Sequence, residues 1–239
     1  MRITAFNGSP RGDKGHTGMM LAQLKMGIEQ AGSQMEIIEL SSYKLNLCCG
    51  CFSCWNVNLG VCAMEDDMNT LLTKIRESEI IIIAGPVYYD NISSLLKLFT
   101  ERFLPLNIGK IVADANGVYK HDILNVNPDI IMVSSCDLPD MCNFEVISLY
   151  GRKLAKNLNS RLLSEIYKTQ ARLLEVELFG IGEKVEAFKK SLIIAGYEIA
   201  TGRRVTEQTM DDIIKPFITT EEYIHTANVL AKRGSQIYY

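Results

Sequence analysis

An excess of basic residues is missing from this 239-residue chain: 25 lysines and arginines stand against 28 aspartates and glutamates, a formal net charge of −3. A protein that displaces counterions from nucleic acid usually carries the opposite balance, so no nucleic-acid partner is expected. Long apolar runs are missing too. The longest strictly aliphatic stretch, residues 80–84, falls far short of the ~20 residues that span a bilayer, so no membrane segment is expected. One Arg and a short apolar run precede Asn7-Gly8-Ser9-Pro10, unlike a secretory leader, and the expected location is the cytoplasm. The chain shows no internal repeat, low-complexity tract or linker. It has only three histidines, and no Ser-His-Asp or paired-carboxylate constellation that would call for hydrolysis. Its 47% hydrophobic and 22% charged residues are the usage of an ordinary globular protein.

The first half alternates strand and helix signals. Residues 3–7 form a short apolar segment ending at Gly8, and Met20, Leu21, Leu24, Ile28 and Ala31 recur at helical spacing from about Gly18. Residues 35–40 read as a strand; Met68, Leu71, Leu72 and Ile75 mark a second helix face. Residues 80–84 read as a strand covered on both faces and halted by Gly85-Pro86. Ile92, Leu95, Leu96, Phe99 and Phe103 give a third helix, stopped by Pro105. Residues 105–128 read as irregular, broken by Gly109, Gly117 and Pro128. A buried strand at 130–133, a helix through Phe144, Ile147, Gly151, Leu154 and Leu158, and a weaker strand at 162–167 complete the alternation. The pattern predicts an α/β, doubly wound parallel sheet in which the loops following the strands share one edge. Residues 1–170 are assigned to this domain, with a cysteine-rich insert at 47–62. Residues 171–239 form a helical extension packed on the core or on a partner subunit.

Three loops on that edge carry chemistry. Residues 8–17 join a strand to a helix start, where unpaired N–H groups and a partial positive charge suit a phosphate. The glycines allow close approach, and Ser9 and Thr17 offer hydroxyls. The run is neither a Walker A loop nor a G-x-G-x-x-G fingerprint; an ordinary polar turn capped by Thr17 is the alternative, with His16 a solvated loop residue. In residues 85–93, amides after Pro86 can bond the edge of a flat ring and Tyr88 and Tyr89 can stack on it. The alternative is a turn in which Asn91 or Ser93 caps the next helix. Ser134-Ser135-Cys136-Asp137 closes the site, with Cys136 and Cys142 read as small buried side chains.

Five of seven cysteines fall within fifteen residues. Cys48, Cys51, Cys54 and Cys62 give C-x₂-C-x₂-C-x₇-C, whose compact spacing lets sulfurs converge on one centre, as a [4Fe–4S] cluster demands. Zinc usually takes two separated C-x₂-C pairs; zinc and an empty, thiol-rich lid stay open as alternatives. Cys49 is surplus, Phe52 and Trp55 would shield a cluster from water, and Asp66 is expected to cap the following helix.

A family resemblance gathers these segments. Gly8-Ser9-Pro10-Arg11 followed by Gly15-His16-Thr17 resembles the phosphate loop of flavodoxin-like FMN proteins, in which G-S-P-R leads to G-N-T; His16 replaces the Asn. Residues 85–93 resemble the family's S-P-V-Y-x-x-x-I-S, which lines the isoalloxazine ring. Lys97 and Glu101-Arg102 resemble its L-K-x-F-x-D-R, and are read as scaffold or subunit contacts. The cysteine run ahead of Asp66-Asp67-Met68 is similar to that of iron-sulfur flavoproteins. Over residues 1–104 the chain thus resembles the iron-sulfur flavoprotein and NADPH-dependent FMN reductase family.

The resemblance implies a flavodoxin-like five-stranded sheet of order 2-1-3-4-5. It implies FMN held by Ser9, Arg11, Gly15, His16, Thr17, Pro86, Val87, Tyr88, Tyr89, Asn91, Ser93 and Ser135, and a [4Fe–4S] cluster on Cys48, Cys51, Cys54 and Cys62. The flavin would carry the chemistry, with no protein residue assigned as catalytic. The expected activity is electron transfer between NAD(P)H or ferredoxin and a small acceptor, in a homodimer or homotetramer. A cluster-free NAD(P)H-dependent FMN, quinone or nitro reductase is the enzyme alternative, and an electron carrier or redox sensor the non-enzyme one.

Overall fold

The chain runs β1 (Arg2–Asn7), α1 (His16–Gln30), β2 (Gln34–Glu39), α2 (Ser53–Asn56) within the cysteine loop, and α3 (Met68–Arg76). Then come β3 (Ile80–Tyr88), β4 (Asn91–Ile92), α4 (Ser94–Glu101), β5 (Asn107–Ala113), β6 (Tyr119–Ile123), β7 (Asp129–Ser135), α5 (Glu145–Leu158) and β8 (Leu162–Lys168). Three helices follow: α6 (Gly182–Gly202), α7 (Glu207–Ile214) and α8 (Thr220–Lys232). The structure is a computed structural model and describes residues 1–175 and 180–232; the rest of the expected helical extension lies outside the described residues.

The sheet runs β2-β1-β3-β7-β8, every pair parallel, which is the expected 2-1-3-4-5 order of its long strands. Alternation along β3 builds both cores. Ile80 and Ile82 join Met20, Leu21 and Leu24 of α1 and Phe188 and Leu192 of α6 on one face. Ile81 and Ile83 join Leu71 of α3, Phe99 of α4 and Ile147 of α5 on the other. The extension docks through two glycines. A Cβ on Gly27 would sit 1.8 Å from the Ile193 carbonyl oxygen, and one on Gly196 2.1 Å from that of Leu24. Their absence lets the backbones of α1 and α6 cross closely.

Two expectations need correction. Gly85-Pro86 does not halt β3, which runs on to Tyr88 with Pro86 paired to Ser135 of β7. The Ala84 carbonyl accepts from Gly8 on the β1 side, and β1 pairs no further than Ala84, so Pro86 stands beyond the end of that ladder; the Gly8 carbonyl accepts instead from Ser93 Oγ. Residues 105–128 are not irregular throughout: β5 and β6 pair as an antiparallel hairpin. Asp114 Oδ1 accepts from the amides of Asn116 and Val118, both at 2.9 Å, and Gly117 takes φ +76°, so the supposed breaker makes the turn.

Candidate functional site

β1, β3 and β7 end side by side, and the loops beyond them open a cleft of about 350 Å³. Ser9, Arg11, His16 and Thr17 line it from the first loop, Pro86, Val87 and Tyr88 from the end of β3, and Ser135 and Asp137 from beyond β7. Local bonds wind the first loop. Asn7 Oδ1 accepts from the Ser9 amide at 3.0 Å, Ser9 Oγ from the Arg11 amide at 3.3 Å, and the Ser9 carbonyl from Gly12 at 3.0 Å. Gly12 sits at φ +56°, where a side chain would be strained. α1 starts at His16, so the amides of its first turn lack intrahelical acceptors at the positive end of the helix. Gly15, its N-cap, lines nothing itself; a Cβ there would fall 2.6 Å from Ser9 Oγ and fill the cradle. Thr17 Oγ1 and Ser135 Oγ lie 2.9 Å apart, joining the first loop to β7.

His16 is not a solvated loop residue. Its imidazole is mostly buried with Nε2 3.0 Å from Glu175 Oε1, and burial lowers its pKa despite that carboxylate. Glu175 also meets Arg11, Oε1 to Nη2 at 2.8 Å. Arg172 donates to Asp137, which accepts from Tyr223 Oη at 2.7 Å on its other oxygen. Ala171, Arg172 and Glu175 line the cleft, and sequence reading missed all three. They belong to the segment after β8, which carries no motif and reaches the loop only through the fold.

The ring seat is smaller than expected. Tyr89, Asn91 and Ser93 do not line the cleft. β3 turns into β4 through Tyr89 (φ 51°) and Asp90 (φ 61°), a two-residue hairpin of the type that usually takes Asn-Gly. This turn leaves Tyr89 wholly exposed and Asn91 on the short β4, where its Oδ1 accepts from Ile92. Ser93 is buried and caps α4: its Oγ accepts from the Leu96 amide at 3.2 Å and donates to the Gly8 carbonyl at 2.6 Å. The capping alternative holds for Ser93. Cys136 is buried as expected, whereas Cys142 is exposed.

Cys48, Cys49, Cys51, Cys54 and Cys62 line a second pocket, floored by Arg102. Gly50 (φ +66°) and Phe52 (φ 51°) fold the loop back so that the x₂ spacings close on one space. Asn69 clamps Cys62, accepting from its amide and donating to its carbonyl, both at 2.9 Å. Arg102 is the anchor. Its Nη1 donates to the Asn46 carbonyl at 2.6 Å and to Asp66 Oδ2 at 2.7 Å; its Nη2 donates to Asp66 Oδ1 at 3.0 Å and to Cys62 Sγ at 3.2 Å. The Arg102 and Asp66 side chains are 1% and 0% exposed. Burial alone would raise the pKa of Asp66; the guanidinium and the amides of Asn46 and Met68 overcome this and hold it at about 2. Asp67, not Asp66, occupies the N-cap of α3. A bond to the Ser53 amide, assisted by the Cys49 thiol and by Arg102, lowers the Cys51 pKa, while burial raises that of Cys54. Phe52 lines the pocket. Trp55 instead packs against His121 of the hairpin, with ring centres 4.5 Å apart and planes tilted by 43°, and donates to the Leu104 carbonyl at 2.7 Å. Among the described residues, no three His, Cys, Asp or Glu side chains converge tightly enough to hold a single metal ion.

Residues 1–118 match the NADPH-dependent FMN reductase family. An iron-sulfur flavoprotein of Archaeoglobus fulgidus is 38% identical over 105 residues, 44% of this chain and 46% of that protein. One of Methanocaldococcus jannaschii is 35% identical over 109 residues, 46% and 55% of the two chains. The match spans about half the length of these curated relatives. Among solved structures, an FMN-dependent NADH-azoreductase from Bacillus anthracis in complex with FMN has a TM-score of 0.60 at 14% identity, covering 83% of this chain and 99% of that one. An NAD(P)H:quinone oxidoreductase from Methanothermobacter marburgensis gives 0.59 at 11%, covering 83% and 96%. These two likenesses concern the fold alone. No helix among the described residues is long and apolar enough to cross a membrane. The matched stretch, residues 1–118, contains all three loops at the sheet edge, and over it the chain is similar to NADPH-dependent FMN reductases and iron-sulfur flavoproteins.

Proposed function

We propose that this protein is an FMN-dependent NAD(P)H oxidoreductase that also carries a [4Fe–4S] cluster, moving electrons between NAD(P)H or ferredoxin and a small acceptor. The observation that carries the reading is the cleft itself: hydroxyls, an arginine and free helix amides at one end, the Pro86-Val87-Tyr88 backbone at the other. A cradle that one Cβ at Gly15 would fill fits a phosphate. Ser9, Thr17 and the first amides of α1 would hold it by donated hydrogen bonds. Val87 and Tyr88 would orient the ring, with Ser135 fixing Thr17 from below. When bound, FMN accepts a hydride and returns electrons singly or in pairs.

Cys48, Cys51, Cys54 and Cys62 would hold the cluster, with Cys49 spare. A pocket that gathers five cysteines among apolar side chains and Arg102 fits the donor set of iron-sulfur centres. The C-x₂-C-x₂-C-x₇-C run, unlike the two separated C-x₂-C pairs usual for zinc, favours a cluster over zinc. The lack of a ready single-ion site also keeps a cluster-free reductase as the second reading.

Two variants test the assignment. Ser9→Leu should weaken FMN at least about tenfold in a fluorescence titration, the loss of ~1.4 kcal/mol; unchanged affinity would put the phosphate elsewhere. Cys51→Ala, purified anaerobically, should lose iron and sulfide while binding FMN as the wild type does. Full iron content in that variant would overturn the ligand set, and iron-free wild type after reconstitution would leave the cluster-free reading.

A further inference from the structure

The cleft holds an acidic side chain where an anion is to be held. Glu175 places Oε1 2.8 Å from Arg11 Nη2 and 3.0 Å from His16 Nε2, with Oε2 3.5 Å from Arg11 Nη1. His16 is the first residue of α1, so this carboxylate also lies at the positive end of that helix. Both partners, the Arg11 guanidinium and the His16 imidazole, line the cleft beside Ser9 and Thr17. His16 Nε2 is shielded from solvent and faces this same carboxylate. The arginine fork is thus spent on an internal carboxylate.

We infer that Glu175 is a built-in competitor for the phosphate of FMN, an inference that rests on the first loop being the phosphate site. A phosphomonoester carries a charge of about −2 at neutral pH. It cannot share the Arg11 fork with a carboxylate in contact with the same fork without strong repulsion. Entry of the phosphate therefore requires Glu175 to leave Arg11, and the free cleft keeps its cation satisfied by an intramolecular anion. The contact taxes FMN affinity and spares a flavin with no phosphate. It also ties the start of the C-terminal extension to occupancy of the first loop, because Glu175 follows directly on the Arg172 contact to Asp137.

The test is titration of the full-length, flavin-free protein with FMN and with riboflavin, comparing wild type and Glu175→Gln, with circular dichroism as the check of folding. The variant should bind FMN about tenfold more tightly, ~1.4 kcal/mol, and riboflavin within about twofold of wild type. FMN affinity that is unchanged or weaker would overturn the inference and make Glu175 a strut that holds Arg11 in place. Equal tightening of both flavins would overturn it as well, since the carboxylate would then act on the ring or on access. Failure of the underlying reading has a different signature. In that case Ser9→Leu and Arg11→Ala would leave FMN affinity at the wild-type value whatever stands at position 175.

Discussion

Substituting Arg102 with methionine is expected to cost about 3–5 kcal/mol of folding stability, because it strands a buried carboxylate. Asp66 is fully buried and would keep only the Asn46 and Met68 amides as partners; the Asn46 carbonyl and Cys62 Sγ would lose their donor as well. Arg102 fastens the cysteine loop to the body of the protein, together with the Asn69 clamp, the Arg76 bond to the Gly60 carbonyl and the Trp55 bond to the Leu104 carbonyl. It alone among these reaches a cysteine sulfur, so on the proposed cluster assignment the same substitution should lower iron uptake sharply. Urea unfolding and iron analysis read the two effects separately. The double variant Arg102→Met, Asp66→Leu removes both charges and should recover most of the stability without recovering iron. A loss below about 1 kcal/mol for the single variant would mean that the pair is solvated. Acid titration supplies a second check. Asp66 is held at about 2, below its ordinary 3.8, so its pairing contributes roughly 2–3 kcal/mol above pH ~4, lost as pH falls toward 2. Arg102→Met should flatten that acid limb.

What could be read from the sequence was what is local. The isoleucine run of β3 and the apolar stripes of α1, α3, α4 and α5 announce a sheet covered on both faces, because burial by period needs no knowledge of partners. Ser9, Thr17 and the three spacings of the four cysteines were legible for the same reason: each motif lies within one loop. What was hidden depends on distant convergence. Arg102 and Asp66 look like surface charges in sequence and meet only when α4 packs beneath the cysteine loop. Glu175 reaches Arg11 across 164 positions. The β5–β6 hairpin escaped because Lys110, Lys120, His121 and Asp122 blur any alternation on a ribbon with almost no fully buried position. Ser93 misled in the opposite way: a residue type suited to a ligand was equally suited to a cap, and the buried carbonyl of Gly8 decided it.

Lys168 offers the sharpest pH effect. It ends β8 with no exposed surface, its Nζ donating to the carbonyls of Ile213 at 3.1 Å and of Lys215. The ammonium lies 3.9 Å from the centre of the Phe217 ring and 4.7 Å from that of Phe188. No carboxylate among the described residues pairs with it, and burial pushes its pKa down to about 7 from the ordinary 10.5. Between those values the unfolded chain holds a proton that the folded chain has released, so stability should rise with pH across that window. Below about 7 the amine is charged in both states, and the full cost of burying it is present. Two carbonyls and two aromatic faces offset part of that cost, so a rise of about 2–4 kcal/mol from pH 7 to 10 is expected. Lys168→Met should be flat over the same range, whatever its absolute stability. The consequence reaches the site, because the Lys168 carbonyl accepts from Cys136 at 2.9 Å, between Ser135 and Asp137 of the cleft. A wild-type unfolding curve with no slope between pH 7 and 9 would show that the aromatic faces and helix-end carbonyls of α7 keep the ammonium charged.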